Sequence, residues 1–212
     1  LVDTPPELRL QLIAAGVSAV DAVWFTHIHA DHVHGIDDLR VFTARRGDVD
    51  AYIASEYREK IARYFEYIFD EAVQAAPGSS IPSVKLHELE EGRPVGIVGE
   101  SFTPLLVPHG PTNVYGFRVG KLGYITDGKR LPPTTLEALK GVDVLVLNAL
   151  WFGRPHPSHF NIEEAIEAAR EVGAERTYLT HLTHRVTHAE LEERLPDGVM
   201  AAHDGLIVEV PS

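Results

Sequence analysis

A cluster of histidines constrains this chain more than any other feature of its sequence. Four of the twelve histidines lie in the stretch His27–His34, where the pattern His-x-His-x-Asp-His follows directly on an apolar run, 20–26. That run predicts a buried strand, and alternate residues of the extended segment after it project to the same side. His27 and His29 can therefore bind one metal ion, while Asp31 and His32, at the turn into the next helix, face a neighbouring position. Imidazole and carboxylate ligands suit Zn²⁺, Mn²⁺ or Fe²⁺ better than Ca²⁺ or Mg²⁺.

Further ligands are expected at the ends of other strands, because this segment alone cannot complete two coordination spheres. Three polar residues have that context: His109, Asp127 and His181 each follow a short apolar run that predicts a strand. Sites in α/β proteins lie where the strands end, so we expect all three side chains to be metal ligands.

The remaining pattern predicts a layered α/β sandwich in a single domain, 1–212. Thr4-Pro5-Pro6-Glu7 has the form of a capping box before a first helix, and Ser55 precedes a long amphipathic helix to residue 74. Short predicted strands fill 84–126, and the chain then alternates between helices and strands, ending in two short strands. Because the chain begins at Leu1 in an apolar segment, we expect residues upstream of it to be missing.

Composition excludes several functions. The net charge of −12 repels long polyanions, so we expect no duplex nucleic acid as a partner. The absence of cysteine excludes a thiol nucleophile and a cysteine zinc site. No apolar run is long enough to span a membrane, and we expect a cytoplasmic protein with no membrane partner.

The ordered set of strand-end residues resembles the metallo-β-lactamase superfamily of hydrolases. The resemblance implies a four-layer αββα sandwich, its N-terminal strands missing here, with Asp3 as a structural aspartate before the signature. It also implies a dinuclear Zn or Mn centre, a metal-bridging hydroxide as nucleophile and Asp31 as a catalytic residue. The implied ligands are His27, His29 and His109 on one ion, Asp31, His32 and His181 on the other, and Asp127 between them.

Three segments resemble one branch of that superfamily, the phosphoribosyl 1,2-cyclic phosphate phosphodiesterases and their relatives: Asp3–Arg9, Asp31–Arg40 and Arg154–Phe160. The branch implies a phosphodiesterase that acts on a small cyclic or alkyl phosphodiester. It implies that His159 is not a ligand but contacts the phosphate and donates a proton to the leaving alkoxide. His34, Arg40 and His156 are further candidates for substrate binding.

Other functions stay open at this point. A thioester or lactone hydrolase could use the same metal ligands, and some relatives of the branch have a non-hydrolytic role in pyrroloquinoline quinone biosynthesis. His184 has the spacing of a ligand to a structural zinc, but the cysteines that would complete that site are missing. The aromatic segment 64–69 is expected to pack in the core, with a substrate-pocket wall or a homodimer contact as alternatives.

Overall fold

The computed structural model describes residues 1–211 and divides into two compact units, 1–90 and 91 onward. Each unit contains one β-sheet and its own helices. The single domain expected from the sequence stays a prediction.

The first unit is built on a parallel sheet of three strands, in the order β1 (Ala22–Trp24), β2 (Val49–Ala54) and β3 (Val84–Leu89). Val23 and Ala51 lie opposite each other in the register and are both fully buried. In β2 burial alternates over the first residues, so that Val49, Ala51 and Ile53 form the buried face.

The helices of the first unit are α1 (Leu8–Ala14), α2 (Ala30–Val33), α3 (Arg40–Arg46), α4 (Ser55–Tyr64) and α5 (Glu66–Phe69). The predicted capping box before α1 is wrong. Glu7 is the residue at the N-cap, whereas Thr4 is buried and its hydroxyl donates to the carbonyl of Val33 at 3.2 Å. Thr4 therefore joins two segments of the unit instead of capping a helix.

The long helix predicted for 55–74 is also wrong in length. The backbone leaves helical geometry at Phe65, where φ is −122° and ψ is 47°, and α5 then ends at Phe69. Tyr64 is 57% exposed and Tyr67 is 37% exposed, so this part of the aromatic segment does not pack in the core. A pocket wall or a homodimer contact for this segment stays a prediction.

The second unit contains a seven-stranded mixed sheet in the order β10-β9-β8-β7-β6-β5-β4. The pairs from β4 to β7 are antiparallel and the pairs from β7 to β10 are parallel. It follows that β5, β7, β8 and β9 all run in the same direction and end at the same edge of the sheet. The strands are β4 (Val95–Ile97), β5 (Glu100–His109), β6 (Thr112–Val119), β7 (Leu122–Ile125), β8 (Val144–Asn148), β9 (Arg176–Thr180) and β10 (Val199–Ala201).

Helices α6 (Pro133–Leu139), α7 (Ile162–Val172) and α8 (His188–Arg194) complete the second unit. The predicted cap of α7 is confirmed: Asn161 and Glu164 form a reciprocal capping box, and Gly173 ends the helix in the left-handed conformation with φ 76°. The buried face of α7 packs in a core that includes Leu145, Leu147, Ile162, Ala165 and Leu179. Of the two final strands predicted, β10 forms, and residues 205–211 contain no strand.

Within residues 1–211, none of the helices is both long and apolar enough to cross a membrane.

Candidate metal centre

The first unit places four candidate ligands directly after β1. We call His27, His29, Asp31 and His32 the N-terminal cluster. His27 Nε2 lies 2.9 Å from His29 Nδ1, and the rings of His27 and His32 are 4.2 Å apart between centroids. The Nε2 atom of His32 lies 3.4 Å from a carboxylate oxygen of Asp31, within α2, as the sequence predicted. The extended segment and the first turn of α2 thus bring imidazole and carboxylate groups together.

Asp3 and Thr26 orient two of these rings. One carboxylate oxygen of Asp3 accepts hydrogen bonds from His32 Nδ1 at 2.7 Å and from the Thr26 hydroxyl at 2.8 Å. Because the Thr26 hydroxyl donates its proton in the hydrogen bond to Asp3, it acts as acceptor for Nδ1 of His27, at 3.1 Å. This network assigns the proton of both rings to Nδ1, which leaves an unprotonated Nε2, the form that binds metal ions.

Asp3 is held in this role by an uncommon backbone conformation. Its φ is 55°, a value that few non-glycine residues adopt, and its side chain is buried. Burial raises the pKa of Asp3, and its hydrogen bonds with His32 and Thr26 oppose that rise. The sequence indicated Asp3 as structural but gave no signal for Thr26, because a threonine at a strand end is common.

The second unit gathers four candidate residues at one sheet edge, and we call His109, Asp127, His159 and His181 the C-terminal cluster. His109 ends β5, and Asp127 and His181 follow β7 and β9. A carboxylate oxygen of Asp127 lies 2.9 Å from His181 Nε2 and 3.9 Å from His159 Nε2. Potential ligand atoms of His109, Asp127 and His159 all lie within 4.8 Å of one another. The predicted strand-end placement is therefore correct for His109, Asp127 and His181, and His159 lies in the loop before α7.

Two residues at this edge have an uncommon backbone conformation. Asp127 and His181 have φ values of 40° and 58°. Residues in such conformations persist only where their surroundings hold them, and they are found most often at functional sites. Buried Asn148 provides that support by bonding both backbone groups of Gly128, at 2.6 and 3.1 Å. A Cβ at Gly128 would lie 2.5 Å from a side-chain methyl of Val107, so a larger residue would require Val107 or the Asp127 turn to shift.

The ring of His109 has the same proton assignment as those of His27 and His32. Its Nδ1 donates to the carbonyl of Ser158 at 3.0 Å, so its Nε2 is unprotonated. Ser158 was missed by the sequence analysis, since the bond comes from its backbone and any residue could provide it.

Within the C-terminal cluster, His159 is the member that neighbours His156, with 3.2 Å between their Nδ1 atoms. The hydroxyl of Ser158 lies 3.1 Å from Nδ1 of His159 and 3.2 Å from Nδ1 of His156. Burial lowers the pKa of His159 to about 4, and the nearby charge of Asp127 only partly opposes that effect. Burial also lowers the pKa of His156. His159 is therefore neutral near pH 7.

The remaining predicted residues have other contacts. Arg40 forms an ion pair with Asp37, and the ring of His34 packs edge-on against Phe65 with 6.1 Å between centroids. Roles for His34 and Arg40 in substrate binding stay predictions. His184 is exposed, and its role in a structural zinc site also stays a prediction.

The chemistry of both clusters fits divalent transition metal ions. Three histidines present an unprotonated Nε2 because Nδ1 donates to a carboxylate, a hydroxyl or a carbonyl: His27, His32 and His109. Asp127 provides a carboxylate that is only 2% exposed. Such oriented imidazoles with a buried carboxylate are the donors that Zn²⁺ and Mn²⁺ favour.

A family model also matches this chain, over a range that includes all the residues of both clusters. Residues 1–182 match the model of the beta-lactamase superfamily domain, so the chain belongs to the metallo-β-lactamase superfamily. The α/β fold class predicted from the sequence, with two sheets and flanking helices, is confirmed.

Within that superfamily, the chain is similar to a structure described as a new diphosphatase from the PhnP family. The two share 33% identity with a TM-score of 0.86, over 99% of this chain and 79% of the other. PhnP is the phosphoribosyl cyclic phosphate phosphodiesterase, and the resemblance to that branch is thus confirmed.

The chain is also similar in sequence to two curated proteins with different names. An octanoyltransferase from Porphyromonas gingivalis is 33% identical over 207 residues, which cover 97% of this chain but 41% of the relative. The chain thus spans about two fifths of that protein. A ribonuclease Z from Myxococcus xanthus is 27% identical over 280 residues, covering 100% of this chain and 88% of the enzyme.

Proposed function

We propose that this chain is a metal-dependent phosphodiesterase that hydrolyses a small cyclic or alkyl phosphodiester. The proposal is carried by the position of His159. This histidine lies next to the buried Asp127 and to two further histidines, His109 and His181, at one sheet edge. Similarity to a PhnP-family diphosphatase supports phosphoester or phosphoanhydride chemistry in particular.

The two clusters are proposed to bind two divalent ions together, as the superfamily implies. In that assignment His27, His29 and His109 bind one ion, Asp31, His32 and His181 bind the other, and Asp127 binds both. When bound, such ions supply Lewis acidity and lower the pKa of water toward neutrality. Asp3, Thr26 and Ser158 keep the imidazole rings in the orientation and tautomer that metal binding requires.

His159 is proposed to bind the phosphate and to protonate the leaving oxygen. Its Nε2 faces Asp127 at 3.9 Å, which places the ring at the edge of the cluster. Since burial holds its pKa at about 4, the ring needs the negative charge of the substrate to gain a proton near neutral pH. His159 can thus become an acid when the phosphodiester is bound, and it stays neutral otherwise.

A thioester hydrolase is the second candidate function. The similarity to an octanoyltransferase favours it, because that enzyme is named for an acyl transfer. The match covers only 41% of that protein, so the acyl chemistry can belong to the rest of its length.

A substrate panel tests the proposal directly. Zinc- and manganese-loaded protein would be assayed with bis-p-nitrophenyl phosphate, adenosine 2′,3′-cyclic phosphate, S-lactoylglutathione, an octanoyl thioester and nitrocefin. We expect the phosphodiesters to give the highest kcat/KM, and Asp127→Asn to abolish that activity. A higher kcat/KM for a thioester, also lost in Asp127→Asn, would contradict the proposal and support the second candidate.

The panel needs a control for contaminating hydrolases. His203→Ala changes an exposed histidine in the second unit and serves as the matched variant. Its activity should equal that of the unchanged protein. Activity that survives in Asp127→Asn would come from a contaminant or from another site.

A further inference from the structure

A series of ring contacts leads outward from His159 along the second unit. The rings of His159 and His156 are 5.0 Å apart, and those of His156 and Trp151 are 5.7 Å apart, between centroids. The guanidinium carbon of Arg185 lies over the Trp151 ring at 4.4 Å from its centroid. The proposed mechanism uses His159 and leaves Trp151 and Arg185 without a role.

Several bonds fix the position of this pair. The indole N–H of Trp151 donates to the carbonyl of Arg154 at 2.7 Å. On the Arg185 side of the pair, Thr183 donates two hydrogen bonds to the carbonyl of Leu150, from its backbone N–H at 3.2 Å and from its hydroxyl at 3.1 Å. The loop that carries Arg185 is therefore tied to the residue before Trp151. An arginine stacked in this way keeps its N–H groups directed outward at a reduced entropic cost.

The charge of Arg185 is uncompensated, which distinguishes it from a neighbouring pair of the same type. Arg194 lies over the Phe152 ring at 3.5 Å and also forms an ion pair with Glu190 at 2.8 Å. Arg185 is exposed and forms no ion pair with a carboxylate among residues 1–211. In a chain with 31 acidic and 19 basic residues, an ordered arginine without an acidic partner is a candidate for anion binding.

We propose that Trp151 and Arg185 form an anion subsite that binds a second phosphate group of the substrate, on the side of the leaving group. Arg185 is the binding residue, since its planar guanidinium can donate two parallel hydrogen bonds to phosphate oxygens. Trp151 is a positioning residue that holds the guanidinium. This inference rests on the proposed function, because His159 defines the side on which the leaving group lies.

The subsite predicts a preference among matched substrates. Adenosine 2′,3′-cyclic phosphate would be compared with its 5′-phosphate and 5′-diphosphate derivatives, which place a second anion at increasing distance from the reacting phosphorus. We expect at least one derivative to exceed the parent in kcat/KM by about five- to tenfold, as one exposed charge-assisted contact allows.

Two variants show whether Arg185 is the origin of that preference. Arg185→Gln should bring the ratio of kcat/KM between derivative and parent close to one. Arg194→Gln removes the neighbouring stacked arginine and should leave the ratio unchanged. An equal loss on all three substrates in Arg185→Gln, or a loss of the preference in Arg194→Gln, would overturn the proposal.

Trp151 requires a test that separates positioning from a general structural role. Trp151→Phe retains an aromatic face and should keep part of the preference, whereas Trp151→Ala should lose it. Each variant would be measured on the parent compound and on both derivatives, and the ratio of the kcat/KM values is the quantity compared. If Trp151→Ala keeps the full preference, Trp151 has no positioning role.

Ligand binding provides a readout that does not depend on hydrolysis. The chain has two tryptophans, Trp24 and Trp151, and the part of the fluorescence change on ligand binding that is lost in Trp151→Phe reports on Trp151. Adenosine 3′,5′-bisphosphate should bind more tightly than adenosine 3′-phosphate, and Arg185→Gln should remove the difference. If none of the phosphodiesters is hydrolysed, the proposed function fails, and equal affinities for the two nucleotides would separately refute the subsite.

Discussion

The hydrogen bonds that Nδ1 donates decide which ring nitrogen of a histidine is left to bind a metal ion. In His32, Nδ1 donates to a buried carboxylate, and in His109 it donates to a backbone carbonyl. A neutral imidazole has a single proton, so each bond leaves the Nε2 lone pair of the ring for a metal ion. His159 differs, because the neighbours of its Nδ1 are the Ser158 hydroxyl and His156. Since both neighbours can donate or accept, they do not fix which ring nitrogen of His159 carries the proton.

Replacing His159 tests its role as a proton donor. His159→Ala should lower kcat/KM by about 10²–10⁴-fold for an alkyl or cyclic phosphodiester, whose alkoxide leaving group needs a proton. The loss should be smaller for a p-nitrophenyl ester, because p-nitrophenolate is stable as an anion. Both substrates would be measured with wild type and variant, beside the metal content of each protein.

The same experiment distinguishes a proton donor from a ligand. A ring nitrogen of His159 lies within 4.8 Å of potential ligand atoms of His109 and Asp127, so the three could bind one metal ion. If His159→Ala loses metal, it is a ligand, and the assignment as acid is wrong. Equal losses on both substrates with full metal content would leave only a role in positioning the phosphate. His203→Ala should match wild type in all of these measurements.

At the scale of elements, the loop between β8 and α7 carries His156, Ser158 and His159, and α7 anchors its end. Asn161 is buried, accepts from the backbone of Glu164 at 2.8 Å and donates to the carbonyl of Gly153 at 2.6 Å. One side chain therefore caps the helix and closes the loop. Glu164 adds an ion pair with Lys129 at 2.6 Å, which ties the same helix start to the segment after Asp127.

Removing that cap should weaken both the helix and the loop. We expect Asn161→Ala to lower the free energy of unfolding by about 1–2 kcal/mol, since a cap is lost and the Gly153 carbonyl loses its bond. Urea unfolding followed by circular dichroism measures the change. Thr187→Ala removes the exposed cap of α8, whose bond to Glu190 is 3.2 Å long, and should cost less. A larger loss in Thr187→Ala would contradict this account.

The sequence predicted those elements whose signals are local. The strand ends at His109, Asp127 and His181 follow from apolar runs, and the cap of α7 follows from the spacing of Asn161 and Glu164. Thr4 misled the prediction, because a capping box and a buried threonine have the same sequence pattern. The break at Phe65 had no glycine or proline to mark it. Trp151 and Arg185 are brought together by tertiary structure and lie too far apart in sequence to suggest a pair.

At the scale of the whole molecule, charge distribution matters more than net charge. The chain carries −12, yet two divalent ions would add +4 beside the carboxylates of Asp31 and Asp127. We propose that a small anionic substrate binds at this local positive charge, whereas long nucleic acids are repelled by the protein as a whole. The similarity to ribonuclease Z, at 27% identity, makes RNA the alternative substrate to test, and we expect the protein not to cleave it.

Metal content tests whether the N-terminal and C-terminal clusters bind the same pair of ions. We expect about two divalent ions per chain by mass spectrometry of the metals. If Asp127 binds both ions, Asp127→Asn should lower occupancy more than His29→Ala, which removes a ligand of only one.

Removal of the ions with a chelator should lower the melting temperature, because ions at about 100 times their Kd stabilise the folded state by about 2.7 kcal/mol. His87→Ala changes a histidine outside both clusters, paired with Asp50, and should keep full occupancy. Asp127→Asn with both ions retained, or a melting temperature that the chelator leaves unchanged, would show that the clusters do not form the proposed centre.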